Sequence, residues 1–284
     1  MSAGSVLAKE PIDVGSKNFT EQLILGKMLV IYLDHHGYDV VDRTGLSGTQ
    51  ATRTALESGE IDVYWEYTGT AWLVALKHDQ AITDSQLVYN KVKAEDAQKN
   101  DLIWLDMAKF NNTYTLMMRR DEAEKLGIKT LSDLAAHVRK NPKAIKFGTD
   151  HEFYARPDGF PALEKLYNFR FDRGNVIIMD AGLTYKALRD GQVDVSMGFA
   201  TDGRIAAFDL VNMIDDKKFF PVYNPAPVVR KEILDQYPEL ADLLNKIGPK
   251  LDTETMTRLN YEVDIEGKTP EEVAENFLKE AGLI

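Results

Sequence analysis

Cysteine is absent from this chain of 284 residues. Its absence excludes disulfide scaffolds, thiol nucleophiles, iron–sulfur clusters and cysteine-ligated zinc, and it disfavours a redox role. Long apolar runs are missing as well. The longest, residues 23–33, has eleven residues and contains Gly26 and Lys27, whereas a membrane span needs about 20. We therefore expect no segment of the chain to cross a bilayer.

Basic residues are outnumbered, since 34 Lys and Arg stand against 45 Asp and Glu and give a net charge of −11. A surface that binds nucleic acid neutralises phosphates with an excess of positive charge, so we expect no nucleic-acid partner. Apolar residues make up 44% of the chain and charged residues 28%, which is typical of soluble globular proteins. The length predicts about two domains.

Motifs of catalysis and cofactor binding are also missing. The sequence contains no phosphate-binding loop, no Gly-x-Ser-x-Gly turn, no dinucleotide fingerprint and no His-Glu-x-x-His. The five histidines are scattered, and we expect neither a metal site nor a cofactor. Among the many carboxylates, Glu21, Glu66 and Asp202 show no spacing that marks an acid/base pair.

The N-terminus, residues 1–11, has no basic region followed by an apolar stretch. A cytoplasmic protein and an exported protein whose signal has been removed look the same in this respect. The lack of an N-terminal cysteine favours a form without a lipid anchor.

Short β-type runs alternate with helical periodicity, which predicts α/β layers with mainly parallel strands. Strands are expected at residues 12–14, 38–41, 61–65, 102–105, 113–118, 144–147, 176–179, 193–198 and 221–223. The first helix is expected to have Asn18 or Thr20 as its N-cap and to end at Gly37, and the second to span 49–58 before Gly59. Residues 231–283 are expected to be almost wholly helical.

An internal repeat suggests two similar lobes. Residues 55–63, Ala-Leu-Glu-Ser-Gly-Glu-Ile-Asp-Val, align with 187–195, Ala-Leu-Arg-Asp-Gly-Gln-Val-Asp-Val, with five identities at an offset of 132. The same offset places Tyr67 opposite Phe199. Any helix, glycine and strand unit gives a similar pattern, so a chance likeness is the alternative. No flexible linker divides the chain; we expect it to cross between lobes near Asn112 and Pro221, which makes one lobe discontinuous.

Aromatic and cationic residues stand at the carboxyl ends of the expected strands, where α/β sheets bind ligands. Ring faces attract a quaternary ammonium, while Lys17 and Arg156 suit a carboxylate. Together they suggest a zwitterionic ligand. The alternative is that each tyrosine serves packing and that Arg156 pairs with Asp158.

Five segments carry a resemblance to a known family: Gly-Ser-Lys-Asn-Phe-Thr-Glu-Gln at 15–22, Tyr-Trp-Glu-Tyr-Thr-Gly-Thr at 64–70, Arg-Pro-Asp-Gly at 156–159, Phe-Ala-Thr-Asp-Gly-Arg at 199–204 and Phe-Phe-Pro-Val-Tyr-Asn at 219–224. They resemble the substrate-binding proteins of osmoprotectant ABC importers, which bind glycine betaine, choline and carnitine. The resemblance implies an α/β, bilobal periplasmic-binding-protein fold of type II, with two lobes joined by a two-strand hinge. Lobe 1 would comprise 1–110 and 215–284, and lobe 2 would comprise 111–214.

The resemblance also implies the residues of a binding site. An aromatic cage would fall on Tyr67, Tyr114, Phe199 and Tyr223, and a carboxylate clamp on Lys17, Thr70 and Arg156. Many relatives have tyrosine where this chain has Phe199, so the ring face is kept but a hydroxyl is lost, which leaves open a ligand other than glycine betaine. Tyr185 is not expected to belong to the cage.

The expected function is therefore binding rather than catalysis. The resemblance implies a periplasmic, monomeric protein that captures a betaine between its lobes and delivers it to an ABC permease in the membrane. Two alternatives remain open at this point. One is a periplasmic lyase or dehydratase on the same scaffold, with Glu21, Glu66 or Asp202 as the acid; the other is a receptor for a different cation such as choline.

Overall fold

The computed structural model describes residues 10–284. Residues 1–9 lie outside the described residues, and with them most of the N-terminal segment on which the expectation about an export signal rests. Ten strands form two sheets of five strands each in this part of the chain. The strands are β1 (Ile12–Lys17), β2 (Val40–Leu46), β3 (Val63–Tyr67), β4 (Leu102–Trp104), β5 (Tyr114–Arg119), β6 (Phe147–Thr149), β7 (Val176–Ile178), β8 (Val195–Phe199), β9 (Leu210–Asn212) and β10 (Pro225–Arg230).

Helices separate most of the strands, as the alternating pattern predicts. They are α1 (Thr20–His35), α2 (Gly48–Ser58), α3 (Thr68–Thr70), α4 (Ser85–Asn100), α5 (Arg120–Leu126), α6 (Leu131–Lys140), α7 (His151–Ala155), α8 (Phe160–Tyr167), α9 (Ala181–Arg189), α10 (Arg204–Ala207), α11 (Lys231–Gln236), α12 (Leu240–Leu244), α13 (Thr253–Asp264) and α14 (Pro270–Glu280). A single π-helical turn, Ala71–Ala75, continues α3. The expected helical C-terminal region is confirmed by α11 to α14.

The two sheets have the same internal arrangement. Their strand orders are β2-β1-β3-β10-β4 and β7-β6-β8-β5-β9. In each sheet the first three strands are parallel, and the last two neighbour pairs are antiparallel. The repeated segments therefore fall on equivalent elements, α2 with β3 and α9 with β8. In both copies a glycine with positive φ, Gly59 at 80° and Gly191 at 71°, follows the helix. The repeat thus reflects two lobes of one fold.

Both faces of each sheet are covered, which explains why the parallel strands are so apolar. In the first lobe, α1, α13 and α14 pack on one face, while α2, α4 and the π-turn pack on the other. The second sheet is covered by α6 and α8 on one face and by α9 on the other. Each lobe therefore has its own core, which its sheet divides into two clusters.

Two chain segments connect the lobes, residues 105–113 and 213–224. They run side by side and are joined by two hydrogen bonds. The backbone N–H of Asn112 donates to the carbonyl of Tyr223 at 3.1 Å, and the side chain of Asn224 donates to the carbonyl of Phe110 at 2.8 Å. Neither segment contains a regular strand. The residues at which lobe 1 (1–110 and 215–284) meets lobe 2 (111–214) stay a prediction.

Two sequence predictions are wrong. Residues 221–223 are an irregular segment, and the strand that follows them, β10, was not expected. It was missed because Pro225 and Pro227 normally exclude a central strand. The carbonyls of both prolines still accept bonds, from Ala108 N at 2.8 Å and Leu105 N at 2.9 Å. The predicted N-cap of α1 is also wrong, since the residue before the helix is Phe19, which makes no side-chain cap.

In the described part of the chain, no helix combines the length and apolar character that crossing a membrane requires.

Candidate functional site

A cavity of about 1190 Å³ lies between the two lobes. It is lined by residues at the carboxyl ends of β1, β3, β6 and β8, which is where open α/β sheets place ligands. All seven residues predicted from the sequence line this one cavity: Lys17, Tyr67, Thr70, Tyr114, Arg156, Phe199 and Tyr223. Three come from strands or helices of the first lobe and three from the second, while Tyr223 lies on a crossing segment.

Aromatic rings from both lobes line the cavity. The ring of Tyr114 lies 5.1 Å from that of Phe199 and 5.6 Å from that of Tyr223, which it meets edge-on at 86°. Tyr114 and Phe199 are direct partners across β5 and β8, so the ladder itself fixes their separation. The fourth predicted ring, Tyr67, stands at the end of β3, the position equivalent to Phe199 in the other lobe. Rings thus approach the cavity from both sides, which is the arrangement that holds a cation between π faces.

Phe19 is an aromatic residue that the sequence reasoning missed. It stacks on Phe199 at 5.2 Å and 16°, and on Tyr67 at 6.2 Å and 25°. Phe19 belongs to the first lobe and Phe199 to the second, so this ring connects the two aromatic walls. The available signal was its position directly before α1, two residues after Lys17, the last residue of β1.

Gly69 makes room for the ring of Tyr223. A Cβ at Gly69 would lie 2.7 Å from the carbonyl oxygen of Val222 and 2.9 Å from a ring carbon of Tyr223. Real Cβ atoms do not approach other atoms so closely, so only glycine lets the crossing segment lie against α3. The Gly in Tyr-Thr-Gly-Thr therefore helps to position a ring of the site.

Lys17 already has a carboxylate partner. Its ammonium donates to Glu66 at 2.8 Å, and both side chains are buried. Glu66 also accepts from the hydroxyl of Tyr64 at 2.7 Å and from the backbone of Tyr67 at 2.6 Å. The same ammonium lies 5.3 Å from the centre of the Tyr67 ring. Lys17 therefore contributes a fixed, largely neutralised donor, with Thr70 nearby in the same cavity lining.

Arg156 is held in the same way by acidic residues. Its Nε and Nη2 donate to the two oxygens of Asp158 at 2.9 and 2.6 Å, and its Nη1 lies 3.3 Å from Glu152. The pairing with Asp158 that the sequence left open does occur, yet the guanidinium still lines the cavity, 5.6 Å from the centre of the Tyr114 ring.

Three further contacts join the lobes around the cavity. The Thr49 hydroxyl donates to Glu152 at 2.5 Å, the Thr201 hydroxyl donates to Glu21 at 2.6 Å, and Arg204 Nη2 lies 3.1 Å from Asp264 Oδ2. Each joins an element of the first lobe to one of the second. The structure is therefore a form in which the lobes meet.

Buried carboxylates near these contacts titrate abnormally. Burial raises the pKa of Asp264 to about 6, although Arg204 opposes the rise. Burial likewise raises the pKa of Asp150 in the cavity lining to about 6. Burial acts on Glu152 in the same direction, but Lys17 and Arg156 outweigh it and hold the pKa of Glu152 below its ordinary value.

Glu21 is the second residue whose role the sequence did not reveal. Its carboxylate is buried and accepts four bonds, from Tyr67 and Asn112 on one oxygen and from Thr201 and Asn260 on the other. Burial raises its pKa, and these hydrogen bonds oppose the rise. The sequence treats Glu21 only as one candidate acid among three.

The residues from 10 to 284 contain no group of three His, Asp or Glu side chains placed to hold a metal ion. The charged and aromatic groups that line the cavity are its rings, its carboxylates and the basic side chains of Lys17, Arg156 and Arg204.

Comparison with known proteins identifies the family. Residues 10–280 match the model of the substrate-binding domain of ABC-type glycine betaine transport systems. The glycine-betaine-binding protein of Pseudomonas aeruginosa is 43% identical over 99% of this chain and 91% of its own length. The carnitine transport binding protein OpuCC of Listeria monocytogenes is 36% identical over 96% and 87%. A crystal structure described as a glycine betaine/carnitine/choline ABC transporter is 35% identical, with a TM-score of 0.76 over 96% of this chain and 99% of that one. The chain is thus a member of the family of substrate-binding domains of ABC-type glycine betaine transport systems, and its architecture is the bilobal type II fold of periplasmic binding proteins.

Proposed function

We propose that this chain captures a quaternary-ammonium carboxylate of the glycine betaine type between its lobes, delivers it unchanged to an ABC permease, and works as a monomer in the periplasm. The observation that carries the proposal is the convergence of Tyr67, Tyr114, Phe199 and Tyr223 on the cavity that also holds Lys17, Thr70 and Arg156. The rings suit a cation without N–H donors, and the basic groups suit its acid. The names of the two relatives add support, because glycine betaine and carnitine are both trimethylammonium carboxylates.

Binding without turnover is supported by the state of the three candidate acids. Glu66 is paired with Lys17 and lies outside the cavity lining, and Asp202 is paired with Arg204. Glu21 faces the cavity but accepts four hydrogen bonds, which leaves it no free position as a general acid. Incubation with glycine betaine, carnitine and choline followed by mass spectrometry tests the proposal: a new product in any sample would show catalysis.

Replacing Tyr114 or Tyr223 by leucine is expected to weaken binding of glycine betaine by about 0.5–2 kcal/mol, or roughly 2- to 30-fold. Leucine keeps apolar volume but removes the quadrupole that attracts a cation. Isothermal titration calorimetry gives the affinity per folded molecule. Both rings also belong to the buried core of the second lobe, so both variants should also unfold more easily. The affinity must therefore be expressed per folded molecule.

Tyr167→Leu is the matched control for the cage variants. Tyr167 is equally buried in the second lobe, yet it does not line the cavity. This variant should lose stability and keep its affinity. If Tyr114→Leu and Tyr223→Leu behave like it, the rings serve packing alone and the cage is disproved. Phe199→Tyr restores the missing hydroxyl and should hold or improve the affinity if the site has room for it.

Saturating ligand is expected to lower the radius of gyration measured by small-angle X-ray scattering. A ligand that touches rings and clamp residues of both lobes favours the closed form over an open one. Thr49→Ala, which removes a lobe-to-lobe bond to Glu152, should leave the empty protein more open. An unchanged radius at ligand concentrations that calorimetry shows to be saturating would contradict closure on the ligand.

A further inference from the structure

The basic side chains around the cavity each have an acidic partner of their own. Lys17 pairs with Glu66 at 2.8 Å, Arg156 pairs with Asp158 at 2.6 Å, and Arg204 Nε pairs with Asp202 at 2.8 Å. None of these ion pairs leaves a positive charge facing the cavity without compensation. The charge balance of the site therefore depends on the acids that remain.

Glu21 is a buried acid of the cavity lining that, among the described residues, accepts hydrogen bonds from neutral groups only. It accepts from the Tyr67 hydroxyl at 2.7 Å, the Asn112 amide at 2.8 Å, the Thr201 hydroxyl at 2.6 Å and the Asn260 amide at 3.2 Å. None of the ion pairs found among residues 10–284 includes it. Four hydrogen bonds satisfy its oxygens, but they bring no counter-charge, and a buried charge without one is costly.

The position of Glu21 directs its charge toward a ligand. Tyr67 lines the cavity and donates its hydroxyl to Glu21. A phenol that donates to a carboxylate gains electron density in its ring, which strengthens the attraction between the ring face and a cation. The acid thus lies in the cavity lining, bonded to one ring of the cage.

We propose that Glu21 is the counter-ion of the bound quaternary ammonium and acts on it through the ring of Tyr67. This inference rests on the proposed function, since it presumes a cationic head group in the cage. Glu21 then makes the site selective for charge as well as for shape. It also orients a zwitterion, because it attracts the ammonium end and repels the acid end toward Lys17 and Arg156.

A purely structural role predicts a different behaviour. Thr201 belongs to the second lobe and Asn112 to a crossing segment, so the same bonds also hold the lobes together. A residue that acts only as such a latch supports the closed form for every ligand alike. A residue that acts as a counter-ion supports the closed form only for cationic ligands. The two roles can therefore be distinguished by comparing ligands of equal shape and different charge.

The test uses glycine betaine and 3,3-dimethylbutanoate, which differ only in the replacement of the ammonium nitrogen by carbon. Both affinities are measured by calorimetry or by competition for the wild-type protein and for Glu21→Gln. We expect the ratio of the two affinities, glycine betaine over 3,3-dimethylbutanoate, to fall about tenfold or more in Glu21→Gln, because the variant loses its attraction for the ammonium. The repulsion of the carboxylate, which both ligands share, cancels from the ratio. An equal loss for both ligands, or no loss for either, would overturn the inference.

Two further variants keep the test decisive. Tyr67→Phe keeps the ring but removes the hydroxyl that donates to Glu21. The ratio of the two affinities should fall severalfold in this variant. If the ratio stays that of the wild type, the inference is overturned even if Glu21→Gln does not fold. Thr201→Val removes one donor without changing charge, and its ratio should stay that of the wild type. If the wild-type protein binds neither glycine betaine nor another quaternary ammonium, the proposed function itself fails; if it binds and discriminates but Glu21→Gln discriminates equally, only this inference fails.

Discussion

Arg156→Ala is expected to weaken binding of glycine betaine by about 2–5 kcal/mol, which corresponds to roughly 30- to 4000-fold. The guanidinium is the planar two-pronged donor of the proposed clamp, and its loss leaves the ligand's carboxylate desolvated and partly unpaired. It also leaves Asp158 and Glu152 without the group that binds them both. Their freed charges would then repel the acid of the ligand. Calorimetry at constant ionic strength measures the effect.

Choline and Arg173→Ala are the controls for this experiment. Choline has the same cationic head without a carboxylate, so Arg156→Ala should leave its affinity nearly unchanged or improve it. Arg173 pairs with Glu164 in the same lobe but does not line the cavity, and its removal should not alter either affinity. An equal loss for glycine betaine and choline would mean that Arg156 organises the lobe and does not clamp an acid. If the wild-type protein binds choline at least as tightly as every betaine tested, the proposal of a zwitterionic ligand is contradicted.

Asp96→Ala is expected to lower the free energy of unfolding by about 3–5 kcal/mol, the cost of removing one partner from a buried ion pair. Asp96, on α4, accepts hydrogen bonds from both terminal nitrogens of Arg53, on α2, at 2.9 and 2.5 Å. It also accepts from the indole of Trp104 at 2.7 Å and from Asn100 at 2.8 Å. One carboxylate thus connects two helices and the edge strand β4, and its removal leaves Arg53 buried without that partner.

Urea denaturation followed by circular dichroism measures this loss. Asp235→Ala, which removes an exposed partner of Lys231 on α11, is the control and should not shift the transition measurably, because exposed ion pairs contribute little. A comparable shift in the two variants would show that the burial of Asp96 does not matter. Ligand affinity per folded molecule should stay at the wild-type value, since neither Asp96 nor Arg53 lines the cavity.

Part of the site could be predicted from the sequence because two of its rings, Tyr67 and Phe199, end strands, whereas Tyr114 begins β5 and Tyr223 precedes β10. The offset of 132 residues predicts that Tyr67 and Phe199 occupy equivalent strand ends, and the matched strand orders confirm it. Local signals suffice for this, since a helix, a glycine with positive φ and an apolar strand lie within twenty residues of each other. The family resemblance supplied the remaining candidate residues, all of which line the cavity.

The partners of these residues could not be predicted. Lys17 and Glu66 are 49 positions apart, and the four donors to Glu21 lie 46, 91, 180 and 239 positions away from it. No periodicity connects such distant groups; they meet only because the sheets and crossing segments place them together. Strand β10 was missed for a related reason, since its neighbours β3 and β4 supply the pairing that its prolines would otherwise argue against.

The shared arrangement of the two sheets would make the cleft symmetric if its halves were identical, and a symmetric cleft would accept a ligand equally well in two opposite orientations. The two equivalent rings remove this degeneracy. The hydroxyl of Tyr67 is bonded to the acid Glu21, whereas Phe199 has no hydroxyl and is held through its backbone N–H, which donates to Tyr185 at 2.7 Å. One half of the duplicated fold thus presents a phenol bonded to an acid and the other a hydrocarbon ring. Under the proposed function, the two halves of the cleft would therefore meet the ligand differently.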